Sequence, residues 1–363
     1  MKVAVLGGFG AMAEAALHDL AADPLVTAIQ AVDLRTDRAK ALLSKIPNRR
    51  KIKAVKGDFT RMKISADAII NCAWYEHNLR AMECALKAQA HYVDLGGLYH
   101  MTLKQLKLDA AFRRINRLAV LGCGSTPGIT NMMAARMGHL FERVDSVTIY
   151  DASHDPSTAE SEFAPPFAIR TMLAEFVQPA PVLKGGRMVE IKAHGGAEEQ
   201  GFKAPIGRVP VGTVIHSETA TLPAYFKDKG IRDCAFKIFY PPAVKTQLAV
   251  LAGIGLDQEF ISLLTKRAKP LTGRPNDFEV LRVIMKGDRV SCWDCEIRPT
   301  KTLTAGAVGV GFTASIAAML ICDGKTKQRS GVAAPESALD EISFFAELKR
   351  RPFTLTATTT EPL

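Results

Sequence analysis

The sequence predicts an α/β protein: a doubly wound Rossmann sheet followed by a second α+β domain with a mixed sheet. Three observations carry this prediction. Lys2–Leu6 is a short apolar run holding two valines, and Gly7, Gly8 and Gly10 follow at once, with Ala13 closing a G-x-G-x-x-A spacing. A strand pattern over Val26–Val32 then ends on an acid, Asp33, at the distance a dinucleotide site requires. Strand and helix patterns keep alternating to residue 128, and from Val144 the runs lengthen between proline- and glycine-rich turns.

In order, the first strand Lys2–Leu6 leads through the glycine turn into a helix over Ala11–Leu20. The strand to Val32 precedes a helix near Thr36–Ser44, and a third strand, Ile52–Val55, runs into Gly57-Asp58. The fourth strand, Ala66–Asn71, ends in Cys72-Ala73-Trp74-Tyr75, and a helix over Leu79–Ala88 follows. His91–Asp94 is a fifth strand, Leu103–Ile115 a helix and Ala119–Leu121 a sixth strand. Gly122–Gly128 then turns into a helix from Ile129 to about Leu140, with Ser125 or Thr126 as its cap. Beyond it, alternation marks Ser146–Tyr150, Arg187–Ile191, Thr213–Ser217, Ala235–Tyr240, Glu279–Lys286 and Val290–Glu296 as strands. Gly311–Ile321 reads as an apolar helix, Asp340–Lys349 as an amphipathic one, and the polar tail Thr354–Leu363 as frayed. The boundaries this implies are 1–128 for the dinucleotide domain, 129–325 for a substrate and dimerisation domain, and 326–363 for a segment that packs back on the first.

A chain of 363 residues, 47% hydrophobic and 23% charged, is long enough for two cores. No stretch approaches the roughly 20 uninterrupted apolar residues of a membrane span, and the N-terminus lacks a signal-peptide layout, so a cytoplasmic protein is expected. The seven cysteines, Cys72, Cys84, Cys123, Cys234, Cys292, Cys295 and Cys322, are odd in number and mostly in apolar surroundings, as reduced thiols would be. Cys292-Trp-Asp-Cys295 lacks the second pair a zinc site needs, so no metal is expected. The formal net charge of +10 is dispersed. Its one dense run, Arg49–Lys53, reads as a solvated edge, which argues for an anionic cofactor and a carboxylate substrate over nucleic acid.

Ligands of a doubly wound sheet sit outside the carboxyl ends of the strands. That rule selects the turn Gly8-Phe9-Gly10-Ala11-Met12 for a pyrophosphate, because glycine admits close approach and the helix start offers unpaired N–H groups. It selects Asp33, with Leu34 and Arg35 beside it, for the adenosine ribose, Asp58 for the adenine end, and Cys72 and Ala73 for the strand-four rim. Asp33 favours NAD by repelling a 2′-phosphate, whereas Arg35 and Arg38 could accommodate NADP. Asp94, ending the fifth strand before Gly96 and Gly97, is a candidate proton acceptor or a backbone anchor. In the second domain His216 and Glu218 fall on one face of an expected strand, and Arg170 suits a substrate carboxylate. No Ser/His/Asp set, Walker loop or kinase signature is visible, and hydride transfer needs no protein nucleophile.

Taken in order, Val5–Ala13, Ile70-Asn-Cys-Ala-Trp-Tyr75, Ala90–Gly97, Ser125–Asn131, Ile169–Phe176, His216–Pro223 and Gly311–Ile316 resemble the saccharopine dehydrogenase-like family, which includes lysine 6-dehydrogenase and carboxynorspermidine dehydrogenase. The resemblance implies a Rossmann domain, a second domain often carrying a dimer interface, and oxidation or formation of a C–N bond on a small amine or amino acid. Carried over, Gly8, Gly10 and Asp33 would hold the cofactor, with Tyr75, Asp94 and Asn131 near the nicotinamide. Ala13 stands where the turn's third glycine is usual, and Thr304–Val310 does not match the family pattern. The competing expectations are an NAD(P)-binding sensor without turnover and a dehydrogenase of hydroxy substrates.

Overall fold

The structure is a computed structural model that describes residues 1–156, 168–254, 263 and 276–360. The chain forms two compact units, Met1–Arg136 with Ala307–Pro352, and Met137–Gly306 with Phe353–Leu363.

The first 138 residues run β1 (Lys2–Leu6), α1 (Ala11–Ala22), β2 (Ala28–Asp33), α2 (Ala39–Ser44), β3 (Ile52–Lys56), β4 (Ala68–Asn71), α3 (Asn78–Ala88), β5 (His91–Asp94), α4 (Leu98–Leu106), α5 (Asp109–Arg114), β6 (Leu118–Val120) and α6 (Ile129–Gly138). The expected helix Leu103–Ile115 is therefore two helices. Asp109 opens the second, and its carboxylate accepts the Val332 N–H at 2.8 Å, which ties a later edge strand to the sheet. Arg49–Lys51 form one 3-10 turn, exposed at both arginines, before β3, the edge strand of this sheet.

The second stretch runs β7 (Val144–His154), α7 (Ile169–Val177), β8 (Ala180–Lys184), β9 (Arg187–Ile191), β10 (Glu198–Gly201), β11 (Arg208–Thr213), α8 (Glu218–Tyr225), β12 (Asp233–Ile238), α9 (Pro242–Ile254), β13 (Phe278–Gly287) and β14 (Val290–Ile297). The expected strand Thr213–Ser217 is displaced: β11 ends at Thr213, and a helix opens at Glu218. Pro210 concealed the true strand, since proline gives no N–H to a ladder.

The chain closes with α10 (Ala305–Cys322), β15 (Gly331–Ala333), α11 (Pro335–Ala338), α12 (Glu341–Leu348) and β16 (Phe353–Thr360). Helix α10 starts six residues before the expected Gly311. Its 18 residues, with a mean hydropathy of 1.9, pass a length-and-composition test for a membrane span, contrary to the sequence reading. Yet 83% of the helix is buried, as in the core helix of a globular protein. Gly311 lets it press on α1: a Cβ there would stand 2.5 Å from the Ala15 Cβ. The tail is not frayed over its described part, because β16 pairs antiparallel with β14 from Phe353 to Thr360. Threonine is β-branched and suits a strand even without apolar alternation.

The first unit's sheet has the order β15-β6-β5-β4-β1-β2-β3, with every pair parallel. Residues 307–352 supply its last strand, so this unit takes in part of the sequence first assigned to the second domain and runs to Arg136, past the expected boundary at 128. Tyr92, Phe112, Met82, Ile69 and Leu6 fill a core on it. The second unit's mixed sheet runs β10-β11-β12-β7-β13-β14-β16, with a hairpin of β8 and β9 attached through β12. Strands β12 and β7 are parallel and the other pairs antiparallel.

Candidate active site

In the first unit the glycine turn is shaped by close backbone approach. Gly7 sits at φ +68°, and a Cβ on it would stand 2.8 Å from the Ala73 nitrogen; one on Gly8 would stand 2.9 Å from the Ala31 Cβ. At Gly10, by contrast, a Cβ would meet only the Gly7 carbonyl oxygen, at 3.6 Å, among the described residues. The first two glycines are required by the fold, and the third leaves space for a ligand. Helix α1 starts at Ala11, which is exposed, with Met12 half-buried and Phe9 buried. Asp33 ends β2 beside this turn. One of its oxygens accepts the Phe9 N–H at 3.2 Å and the other the Arg35 N–H at 3.0 Å, so the acid is aimed at the rim. Leu34 next to it is 65% exposed. A helix start, an open glycine and an oriented acid fit a dinucleotide. Asp58 follows β3 and is half-buried; its carboxylate accepts from the N–H and hydroxyl of Thr60, which hold its pKa below the usual range.

Across the carboxyl ends of β4, β5 and β6 runs a buried polar chain. Asn71 donates to the Asn78 side-chain oxygen at 2.8 Å and accepts the Ala73 N–H at 3.1 Å. Asn78 donates to Gln105 and to the Gly96 carbonyl, both at 3.2 Å. Gln105 donates to Asp94 at 2.5 Å, while the other Asp94 oxygen accepts the N–H groups of Gly96, at 3.0 Å, and Gly122, at 2.7 Å. Burial raises the Asp94 pKa, though the amides around it oppose that shift. With both oxygens engaged, Asp94 is built as an anchor of the rim. Tyr75 starts a 3-10 turn at the same rim, half-buried with its ring edge-on to Trp74 at 5.3 Å. Burial pushes the Cys72 thiol up to about 12, far from reactive.

The loop Gly122–Gly128 is held at its far end by Asn131, whose side-chain oxygen accepts the Gly128 N–H at 3.0 Å. The amide of Asn131 donates to Glu336 at 2.9 Å, and both side chains are fully buried. The Asn131 side chain thus closes this turn onto the start of α6.

In the second unit His216 and Glu218 do meet, through the imidazole Nδ1 and a carboxylate oxygen. They do so from a loop and the first residue of α8, not from alternate positions of a strand. The imidazole stacks on Phe236, with ring centroids 3.8 Å apart. Burial alone would lower the His216 pKa, but the neighbouring charges of Glu218, then Glu175 and Asp151, outweigh it and raise it. Glu175 on α7 accepts from the Tyr240 hydroxyl at 2.7 Å, and burial pushes its pKa up to about 7. His194 lies between the rings of Phe176 and Tyr240, at 4.6 and 5.8 Å, and burial with Lys245 lowers its pKa to about 4. Arg170 is half-buried in the first turn of α7.

Sequence reasoning missed Asn78, Gln105, Glu336, Glu175 and Tyr240 as members of these clusters. Glu175 lies inside the segment Ile169–Phe176 already singled out; the others carried no local signal. Cys292 and Cys295 lie three apart on β14, hence on opposite faces, and cannot converge on one ion. None of the seven cysteines is in a disulfide.

A parallel sheet of Rossmann type with an oriented acid and an open glycine turn defines the class of dinucleotide-binding proteins. Over residues 3–120 the chain matches the saccharopine dehydrogenase NADP binding domain, and over residues 124–353 the saccharopine dehydrogenase C-terminal domain. It belongs to the saccharopine dehydrogenase family. Saccharopine dehydrogenase (L-Glu forming) from Saccharomyces cerevisiae has the same fold, with a TM-score of 0.74 at 14% identity over 99% of each chain. A probable dehydrogenase from Thermotoga maritima gives a TM-score of 0.45 at 9% identity, covering 99% of this chain and 98% of that one. No curated protein matches the chain by sequence.

Proposed function

We propose that this protein is an NAD(P)-dependent oxidoreductase acting on the CH–NH group of a lysine-type amino acid, an opine or a polyamine precursor. The observation that carries the reading is the His216–Glu218 pair: a buried imidazole oriented by a carboxylate, in the unit other than the one with the dinucleotide turn. A dehydrogenase of amines needs a group that exchanges a proton at nitrogen, and an imidazole tied at Nδ1 has its Nε2 for that task.

When bound, the nicotinamide supplies the hydride acceptor or donor. The chain's own residues do the rest. The turn Gly8-Phe9-Gly10-Ala11-Met12 receives the diphosphate, and Asp33, with Leu34 and Arg35 beside it, receives the ribose hydroxyls and favours NAD over NADP. Cys72, Ala73 and Asp58 line the rim. Asp94, with Asn71, Asn78 and Gln105, positions the rim loops, Asn131 fixes the Gly128 end of the same rim without touching ligand, and Tyr75 serves the nicotinamide side. His216 moves the proton, Glu218 holds it in orientation, and Arg170 clamps a substrate carboxylate. A homodimer acting in the cytoplasm on a small molecule, away from nucleic acid and membrane, completes the proposal.

The test follows nicotinamide absorbance with diamino acids, opines and polyamine precursors, in both directions and with both cofactors. Turnover lost in His216→Asn supports the reading. Silence across the panel with cofactor binding intact sinks it in favour of a sensor, and activity on carbonyl substrates without any amine favours a hydroxy-substrate dehydrogenase.

A further inference from the structure

Parallel strands are usually joined by a helix that packs on the sheet, and the crossing from β3 to β4 in the first unit departs from this. Residues 57–67 carry no helix or strand of their own. They run back from the carboxyl end of β3 to the amino end of β4, as α3 runs back from β4 to β5. Both ends of the crossing are pinned. The Gly57 N–H donates to the Asp33 carbonyl at 2.9 Å, and the Asp67 carboxylate accepts the Lys2 N–H at 2.7 Å. Between them Asp58 holds a turn through the N–H and hydroxyl of Thr60. A single segment is thinner than a helix, and a cavity of about 210 Å³ remains between residues 59–64 and α3.

The cavity has two textures. Ile64 and Cys84 on its wall belong to the buried core of the sheet, and Phe59 packs against that core. The charged wall has Lys63 from the crossing and Arg80 and Lys87 from α3, all three exposed, with Glu83 as the single acid among the described lining residues. Positions 80, 83, 84 and 87 recur at helical steps, so α3 turns one face to the cavity. Among the described residues none of the three cations is in an ion pair, and Arg80 acts on Asp58 only at a distance. The volume exceeds the roughly 150 Å³ that admits a benzene ring and falls short of drug-sized pockets.

We propose that this cavity binds a small organic dianion, a phosphate monoester or dicarboxylate with an apolar body, at a site separate from the dinucleotide turn. The apolar body displaces water from Phe59, Ile64 and Cys84, while its charges meet Lys63, Arg80 and Lys87. Three cations against one acid leave two positive charges to be matched. A neutral compound leaves those cations unmatched, and a bare inorganic anion leaves the apolar wall wet. The place is also distinct. Asn78 opens α3 at the carboxyl rim, bonded to Asn71 at the end of β4, whereas α3 ends at Ala88 just before the amino end of β5 at His91. The cavity therefore follows the flank of the sheet, away from the strand ends where a dinucleotide lies.

The test is a ligand-observed NMR titration of the full chain with phenyl phosphate and with phenylsuccinate, at constant ionic strength and with NAD(P) in excess. At least one of the two is expected to bind more tightly than inorganic phosphate or benzyl alcohol, and the tighter one identifies the charged group the site takes. Arg80→Gln combined with Lys87→Gln is expected to weaken that binding about tenfold or more. Both side chains are exposed, so the Tm of the double variant should match wild type. Lys63→Gln, on the opposite wall, should weaken it independently. Binding of neither dianion overturns the proposal, as does binding that survives the double variant or is matched by inorganic phosphate. Displacement of the dianion by NAD(P) overturns it too, since the ligand would then sit at the dinucleotide turn.

Discussion

Asp94 and Asn131 hold the two ends of a single loop, the first accepting the Gly122 N–H at 2.7 Å and the second the Gly128 N–H at 3.0 Å. Neither side chain reaches past that loop into open space. Both are buried, and Asn131 spends its remaining amide on Glu336, 205 residues away in sequence. A rim loop at the carboxyl end of the sheet is thereby fixed before any ligand arrives.

This clamp makes Asn131→Asp a sharp test. The substitution puts a carboxylate 2.9 Å from that of Glu336, where one of the two must take up a proton or the contact must open. A loss of about 3–5 kcal/mol in denaturant unfolding is expected at neutral pH, shrinking as the pH falls. Glu336→Gln in the same chain should restore much of it.

The glycine turn separates folding from binding. Gly8→Ala drives a Cβ into Ala31, so a stability loss of about 1–3 kcal/mol is expected. Gly10→Ala has room in the fold, so its Tm should stay near wild type while calorimetric affinity for NAD(P) falls about tenfold or more, the methyl taking space the diphosphate needs. Equal affinity in wild type and Gly10→Ala would count against dinucleotide binding at this turn.

Glu175 makes stability depend on pH. Its folded pKa, about 7, lies above the ordinary 4.5 because burial penalises the charge. The folded state therefore binds more protons than the unfolded state between those values, and stability falls as the pH rises from about 4.5 to 7. Glu175→Gln should flatten that slope, gaining on wild type by on the order of 3 kcal/mol between pH 4.5 and pH 8. A wild-type slope preserved in the variant would assign the effect to another group.

Truncation after Pro352 removes β16 and leaves the β14 edge unpaired from Val290 to Ile297. Exposed edges seek other chains. The shortened protein should melt at least several degrees lower and aggregate in light scattering, while a chain ending at Thr360 should behave as wild type.

Much of the first unit was legible because each parallel strand is buried on both faces and reads as an unbroken apolar run: Val3–Leu6 and Ala68–Ile70 could hardly be anything else. The short strand Gly331–Ala333 escaped notice, since three residues carry no period. Helix α10 hid its first turn in glycine and alanine, which score as neither face. At the candidate site, only residues close in sequence carry a local signal of pairing. His216 and Glu218 meet across a helix start and not along a strand. Glu175 and Tyr240 lie 65 residues apart on different elements, and Asp94 and Gln105 were separated by a helix whose start was misplaced. Long-range partners of this kind are created by packing, which no local pattern encodes.

The last strand to be laid into the first unit's sheet, β15, is made after the entire second unit apart from its closing strand. On the ribosome, the nucleotide-type sheet therefore waits for nearly the whole message: β6 keeps an open edge through some 200 further codons, until Gly331–Ala333 emerges and pairs with it. A chain cut short anywhere before that point carries the glycine turn but not the finished sheet.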